Sequence, residues 1–263
     1  MINLLNGRAV IECVLKSMRE SMIVFLTDFG QSEYVGVMKG VIHSMLPNAK
    51  TVDLCNSISP QNVREGAWVL LKNYKYFPQS SVFLCVVDPG VGTARRGIAV
   101  KTKNYYFVGP DNGLVFPAAS DDEIVELRAL HSRGASKTFH GRDVFAKAAA
   151  AIAGKVFEKL GEKTVHLTHL GFHLDLDKRE GELVRIDSFG NIVTNLPSAG
   201  KREYSVKYGS LERKMKFHET YAEARERMPF LLEGSSGTLE ISLKNGNAAE
   251  LLGWKSGKKI VIK

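Results

Sequence analysis

The chain has 263 residues, of which 44% are hydrophobic and 24% charged, and its formal net charge is +8. These values are ordinary for a globular protein of one or two domains. Cys13, Cys55 and Cys85 are too few and too irregularly spaced for a disulfide framework or a zinc site, which favours a reducing, cytoplasmic location. No apolar run approaches the roughly 20 residues that span a bilayer, and no basic stripe or nucleic-acid motif accompanies the charge. We therefore expect neither a membrane nor a nucleic acid as partner.

Residues 1–21 do not share the pattern of the rest of the chain. They carry Arg8, Lys16 and Arg19, but they have no compact apolar core and no small-residue cleavage site. A signal peptide is therefore not indicated. The regular pattern begins at Met22, which is a candidate initiator, and we interpret 1–21 as an N-terminal extension.

Strands alternate with helices over the first part of the chain. Apolar runs predict the strands and apolar residues at helical spacing predict the helices. The predicted strands are 23–27, 51–54, 82–87, 98–102 and 105–108, and the predicted helices are 35–45, 59–76 and 144–159. The last two strands are expected to form a hairpin around Lys103-Asn104. This alternation predicts an α/β domain over 22–175 with a mostly parallel sheet and helices on both sides.

The pattern changes after about Leu170, where short strand candidates are separated by Gly, Asn and Ser. These candidates are 183–187, 192–194, 204–208, 211–217, 238–243 and 259–262, with one short helix near 221–227. Such spacing is typical of a small β-barrel or sandwich. We therefore predict a second, smaller β domain over 182–263, with the boundary between 175 and 182.

Several acids stand where a strand gives way to a loop. Asp28, Asp88 and Asp187 each follow an apolar run and precede a Gly within a few residues. Each could simply cap a turn, and for Asp111, in Pro-Asp-Asn-Gly, that is the favoured interpretation. Ligands of open α/β sheets bind outside the carboxyl ends of the strands. A carboxylate there can accept hydrogen bonds from both hydroxyls of a ribose, or it can pair with an ammonium or sulfonium group.

The segment Phe139-His-Gly-Arg-Asp143 precedes the Ala-rich helix. Asp143 is predicted as its N-cap, and His140, just outside it, could face a ligand, although a lone His is more often an ordinary residue. His166, His169 and His173 have no acidic partner at ligand spacing, so we predict no metal site. The chain has no Gly-x-Gly-x-x-Gly opening a helix, no P-loop and no Gly-x-Ser-x-Gly elbow, which disfavours nicotinamide chemistry, NTP hydrolysis and serine-esterase chemistry.

Six motifs, taken in order, closely resemble the S-adenosylmethionine (SAM) hydrolase family, also called SAM hydroxide adenosyltransferase and related to the SAM-dependent fluorinase and chlorinase. They are Leu-Thr-Asp-Phe-Gly (26–30), Val-Asp-Pro-Gly-Val-Gly (87–92), Pro-Asp-Asn-Gly (110–113), Phe-His-Gly-Arg-Asp (139–143), Asp-Ser-Phe-Gly-Asn (187–191) and Asn-Gly-Asn-Ala-Ala-Glu (245–250). The resemblance runs from about Met22 to Lys263. It implies a Rossmann-like α/β domain followed by a β-barrel domain.

The resemblance also implies an activity and an assembly. The family reaction converts SAM and water into adenosine and L-methionine, with neither a metal nor a cofactor. A sulfonium is already cationic, so its thioether leaves without a proton donor. The implied assembly is a homotrimer, in which the N-terminal domain of one subunit and the C-terminal domain of the next form each site.

The family's Asp-Arg-His set falls on Asp88, Arg95 and His140. By resemblance, Arg95 holds a hydroxide-like oxygen electrostatically, Asp88 orients Arg95, and His140 either positions the water or takes its proton. Arg96 adjoins Arg95, and the sequence does not decide which of the two points inward. Asp28 is implied to bind the ribose hydroxyls.

The resemblance assigns the rest of the substrate to the C-terminal domain. The resemblance implies that Asp187 pairs with the methionine ammonium and that Ser235 and Ser236 bind the methionine carboxylate. The residues implied to surround the adenine are Phe189, Asn191, Asn247 and Ala248. Two other functions remain open at this point. One is a SAM-dependent halogenase, which the His140-Gly141 pair disfavours, and the other is a sensor that binds SAM or adenosine without turnover.

Overall fold

The computed structural model describes residues 21–263, so the predicted extension lies, apart from Ser21, outside the described residues. The chain divides into two compact units. The first runs to Asn62 and resumes over Asn73–Thr168, and the second combines Val63–Lys72 with His169–Lys263. Across residues 21–263, no helix has both the length and the apolar character needed to cross a membrane.

The first unit is built on a seven-stranded sheet. Its strands are β1 (Met22–Thr27), β2 (Lys50–Cys55), β3 (Val82–Val86), β4 (Gly97–Thr102), β5 (Tyr106–Pro110), β6 (Ile124–Leu130) and β7 (Glu162–Thr164). Their order is β2-β1-β3-β5-β4-β6-β7. The first four in that order are parallel to one another, and the remaining pairs are antiparallel. The predicted α/β class and the β4–β5 hairpin are confirmed.

Two helices cover one face of this sheet. Tyr34–Met45 and Ala146–Ala153 contribute Met38, Ile42 and Ala149 to one apolar cluster with Phe25 of β1 and Leu84 of β3, all without solvent exposure. Strands buried on both faces are apolar without alternation. β3 is apolar throughout, and β1 is apolar except for the buried Thr27 at its end. The other helices are Val63–Asn73, Phe116–Asp121 and Ala248–Leu252.

Two predicted helices have different bounds in the structure. The helix expected from Ser59 begins at Val63, because Gln61 has a φ of 63°, which a right-handed helix cannot include. The Ala-rich helix ends at Ala153 rather than 159, since Lys155 also has a positive φ, 64°. A π-helical turn, Gly141–Phe145, precedes it.

Asp143 lies inside this π-helical turn and is not an N-cap, contrary to the sequence prediction. Its carboxylate instead accepts the Ser136 N–H at 2.8 Å and pairs with Arg142. The carboxylate therefore holds the preceding loop against the turn.

The second unit is a seven-stranded antiparallel sheet. Its strands are β8 (Glu180–Ile186), β9 (Ile192–Thr194), β10 (Glu203–Tyr208), β11 (Leu211–Lys216), β12 (Phe230–Glu233), β13 (Leu239–Ser242) and β14 (Lys259–Ile262), in the order β11-β10-β14-β8-β9-β13-β12. A bridge between Phe217 and Leu231 joins the ends of the sheet, which is nearly closed into a barrel. The predicted β-barrel is confirmed. The helix expected near 221–227 is only a 3₁₀ turn, Tyr221–Glu223.

Candidate active site

The carboxyl ends of β1 and β3 bring Asp28 and Asp88 to the same edge of the sheet. The two strands are neighbours, and Thr27 lies opposite Val86 at their ends. Asp28 and Asp88 both line a cavity of about 240 Å³. The other residues lining it are Phe29, Pro60, Gln61, Val86, Val91, Thr138, Phe139, His140 and Gly141. The predicted convergence of these two strand-end acids is therefore seen in the first unit.

A tight turn after β3 returns the chain to Asp88. The Thr93 hydroxyl donates to the Gly90 carbonyl at 2.7 Å and accepts the Arg95 N–H at 3.2 Å. The Asp88 Oδ1 accepts the Gly90 N–H at 3.2 Å. These bonds reverse the chain within a few residues, which the Pro and Gly of this segment permit. The Arg95 side chain consequently lies against Asp88.

Arg95 joins Asp88 to His140. Its Nη2 donates to Asp88 Oδ2 and lies 3.0 Å from His140 Nδ1, while Nη1 donates to the Arg96 carbonyl at 2.9 Å. The side chains of Arg95 and Asp88 are only 10% and 6% exposed. The guanidinium lies 5.4 Å from the centroid of the buried Phe145 ring. The structure thus brings together the three side chains that the sequence proposes for the nucleophile.

Arg96 points elsewhere. Its Nη2 donates to Asp111 Oδ2 at 2.6 Å and to the His166 carbonyl at 3.2 Å. The Asp111 carboxylate also accepts the Thr168 N–H at 2.7 Å. Both residues therefore anchor the segment after β7 to the turn after β5. The Asp111 carboxylate therefore joins segments outside its own turn, whereas the turn role favoured for it is taken by Asn112, whose Oδ1 accepts the Leu114 N–H at 3.2 Å. The same contacts resolve which of the two arginines faces Asp88.

Burial and charge set the protonation of the cluster. Burial raises the pKa of Asp88, while the Arg95 guanidinium acts in the opposite direction. Burial, and after it the Arg95 charge, lowers the pKa of His140 below its ordinary value of 6.5. His140 is therefore a neutral imidazole at neutral pH, held beside a permanent cation.

Asp28 has a structural partner in the cavity wall that the sequence analysis missed. Its Oδ2 accepts the N–H of Gln61 at 2.8 Å, which holds Gln61 in its left-handed conformation. Neither the contact nor the φ angle leaves a signal in the local sequence. Phe29 and Phe139, whose rings meet edge-on at 6.1 Å, were also missed as wall residues, although each adjoins a predicted site residue.

In the second unit, Asp187 organises a turn. Its Oδ1 accepts the N–H groups of Phe189 and Asn191, and its Oδ2 accepts the Asn191 side-chain amide, each at 2.9 Å. Asn191 is consequently buried, while Phe189 is 76% exposed. Asp187 therefore has the turn role that the sequence analysis weighed against a ligand role.

Three of the four predicted adenine contacts line one cavity of about 540 Å³. They are Phe189, Asn191 and Asn247. The Asn247 Oδ1 accepts the Glu250 N–H at 2.8 Å and so caps the helix Ala248–Leu252, whose first residue, Ala248, is fully buried. Tyr221, Leu243, Asn245 and Gly246 complete the lining and were missed.

Ser235 and Ser236 lie on the hairpin between β12 and β13 and, like Asp187, do not line this cavity. The Ser236 carbonyl accepts a hydrogen bond from Lys72 Nζ at 3.1 Å.

The Glu240 carboxylate lies close to the Gly234 backbone, since a Cβ built on Gly234 would lie 1.9 Å from Glu240 Oε1. Burial, and after it the Asp187 charge, raises the pKa of Glu240, a residue that the sequence analysis missed. Among residues 21–263, no group of three or more His, Cys, Asp or Glu could hold a metal ion.

Two protein-family models match the chain. The SAM hydroxide adenosyltransferase N-terminal domain matches residues 23–161, and the SAM hydroxide adenosyltransferase C-terminal domain matches residues 181–261. Residues 1–22 lie outside both matches.

Named relatives and a solved structure agree with these matches. An (R)-S-adenosyl-L-methionine hydrolase of Thermus thermophilus is 38% identical over 90% of this chain and 98% of its own length. A second hydrolase of that name, from Methanocaldococcus jannaschii, is 37% identical over 88% of this chain and 91% of its own length. A fluorinase of Nocardia brasiliensis is 25% identical over 73% of this chain and 76% of its own length. The crystal structure of an uncharacterized conserved protein from Thermotoga maritima, 36% identical, superimposes with a TM-score of 0.85 over 92% of this chain and all of that one.

Proposed function

The chain belongs to the SAM hydroxide adenosyltransferase family, and we propose that it hydrolyses S-adenosyl-L-methionine at the ribose C5′ to adenosine and L-methionine. The observation that carries the proposal is the Asp88–Arg95–His140 cluster beside Asp28 at the carboxyl ends of parallel strands. The names of the hydrolase relatives support the same reaction.

The chemistry suits this cluster. The C5′–S bond breaks with its electron pair going to a sulfonium sulfur, which leaves as a neutral thioether and needs no acid. The protein must instead place an oxygen nucleophile in line with that bond and stabilise its negative charge. Arg95 supplies a positive charge that is largely shielded from water, and Asp88 fixes its orientation.

Product analysis tests the proposal directly. Protein is mixed with SAM containing both sulfonium epimers, and the products are separated by chromatography and mass spectrometry. We expect adenosine and methionine in equal amounts. A 5′-halo product that requires added chloride or fluoride would indicate a halogenase, while bound but unchanged SAM would indicate a sensor. Either result would overturn the proposed hydrolysis.

We propose that no metal participates. The sulfonium leaving group already carries the charge that a Lewis acid would otherwise supply. Activity should therefore be unchanged after prolonged treatment with EDTA and gel filtration into metal-free buffer. Loss of adenosine formation, with recovery on addition of one divalent ion, would contradict this.

We also propose a homotrimer whose sites combine the N-terminal domain of one subunit with the C-terminal domain of the next. Asp28, Asp88 and His140 line a cavity of the first unit, with Arg95 in contact with the last two, and three predicted adenine contacts line a cavity of the second. One SAM molecule needs both sets, and each domain carries one of them.

Mixing two inactive variants tests this arrangement. Asp88→Ala disables the first set and Asn191→Ala the second, so each variant alone should be nearly inactive. After subunit exchange, some sites carry neither substitution, and part of the wild-type activity should return. Exchange verified by mass spectrometry without any recovery would indicate that each site lies within one chain.

A further inference from the structure

The contact between Arg95 and His140 determines where His140 carries its proton. Every nitrogen of a guanidinium is a donor and none is an acceptor. The 3.0 Å contact between Arg95 Nη2 and His140 Nδ1 therefore requires a lone pair on Nδ1. A neutral imidazole has one N–H, so in this arrangement the hydrogen is on Nε2.

The surroundings of His140 oppose the other protonation states. An Nδ1–H tautomer or an imidazolium would place two donor hydrogens against each other at the Arg95 contact. The imidazolium would in addition bring two positive charges together, and both burial and Arg95 lower the pKa of His140. Asp88 and Asp143 act in the opposite direction, but more weakly. The Nε2–H tautomer is thus the form that satisfies Arg95.

The other ring nitrogen is left for the substrate. Within residues 21–263, Nδ1 has Arg95 as its partner, whereas Nε2 makes no hydrogen bond. His140 lines the cavity that also contains Asp28 and Asp88. An acceptor bound in that cavity would lie beside a residue whose remaining donor is Nε2–H. In this tautomer Nε2 already carries a hydrogen, so it cannot take up a proton as a base.

We propose that His140 donates a hydrogen bond from Nε2–H to the hydroxide nucleophile and is not the base that removes its proton. The inference rests on the proposed SAM hydrolysis. The sequence left both roles open, and the contact with Arg95 favours the positioning role. The O–H bond of water breaks first, and its proton leaves to solvent as the hydroxide binds. The O–C5′ bond then forms while the C5′–S bond breaks, which converts the SAM cation and hydroxide into neutral adenosine and methionine.

Side-chain ¹⁵N NMR of the histidine-labelled wild-type protein tests the tautomer independently of activity. The signals of His140, one of seven histidines, are assigned by their loss in His140→Gln and, as a second assignment, in His140→Ala. We expect a protonated Nε2 and an unprotonated Nδ1 at about pH 7.5. An Nδ1–H tautomer or an imidazolium at that pH would overturn the proposal. Because the measurement needs no turnover, it remains informative even if adenosine is not the product.

Two substitutions then separate a donor from a base. The amide of His140→Gln can donate from nearly the position of Nε2 but cannot take up a proton at neutral pH, whereas His140→Ala can do neither. Loss of one donor to a developing or bound oxyanion lowers kcat by about 10²–10³-fold, which we expect for His140→Ala. His140→Gln should lose only about tenfold. Equal losses in both variants, with SAM affinity retained by calorimetry, would show that proton acceptance is required.

Discussion

Replacing Arg95 by alanine should lower kcat by about 10³-fold or more while changing SAM affinity little, since we propose that its charge acts on the nucleophile and not on the bound substrate. The guanidinium is the cation that contacts both Asp88 and His140. Its loss would remove both the positive charge proposed to hold the hydroxide and the donor to His140 Nδ1. Steady-state kinetics of adenosine formation give kcat, and calorimetry gives the SAM dissociation constant.

Arg96→Ala is the matched control, because it removes the same charge from the adjacent position. Arg96 contacts Asp111 and the His166 carbonyl, so kcat should stay near the wild-type value. The Asp111 side chain is only 3% exposed and would lose a partner, so the free energy of unfolding should fall by about 1–3 kcal/mol. An inactive Arg96→Ala beside an active Arg95→Ala would contradict the assignment of Arg95 to the site.

The part of the site that could be predicted follows from sheet geometry. Apolar runs locate β1 and β3, and parallel strands bring the residues that follow them to one edge, so Asp28 and Asp88 converge as expected. The family resemblance added Arg95 and His140, and the family itself is confirmed by the matches to both domains. No periodic pattern in the sequence singles out these last two residues.

What could not be predicted depends on contacts between residues far apart in the sequence. Arg95 and Arg96 are distinguished by their partners, which are Asp88 and His140 for Arg95 and Asp111 and the His166 carbonyl for Arg96. The helix expected at Ser59 is shortened because Asp28 holds Gln61 in a left-handed conformation. Local propensity contains none of this information, because the deciding partners come from other elements.

The close approach of Gly92 to the Lys137 backbone links the fold to the geometry of the candidate site. Gly92 has a φ of 76°, and a Cβ built on it would lie 2.2 Å from the backbone carbonyl oxygen of Lys137. Gly92 belongs to the loop that carries Arg95, and Lys137 lies three residues before His140. The absence of a side chain therefore allows the backbones that position Arg95 and His140 to approach each other.

Gly92→Ala should consequently damage both stability and turnover. A non-glycine residue in a left-handed conformation costs about 1–3 kcal/mol, which should appear as a lower free energy of unfolding. The clash with a backbone atom also forces the two segments apart, and a displacement of about 1 Å between catalytic groups can lower kcat about 10²-fold. Chemical denaturation and steady-state kinetics measure the two effects separately.

Gly90→Ala provides the control within the same loop. Its φ is not positive, and its built Cβ would meet Thr93 Oγ1 at 3.5 Å and Arg95 Cβ at 3.7 Å, which are ordinary contact distances. The N–H that Gly90 donates to Asp88 is kept in the variant. Stability and kcat should therefore remain close to the wild-type values. If Gly92→Ala behaved like Gly90→Ala in both measurements, the approach of the two loops would not be what holds Arg95 against His140.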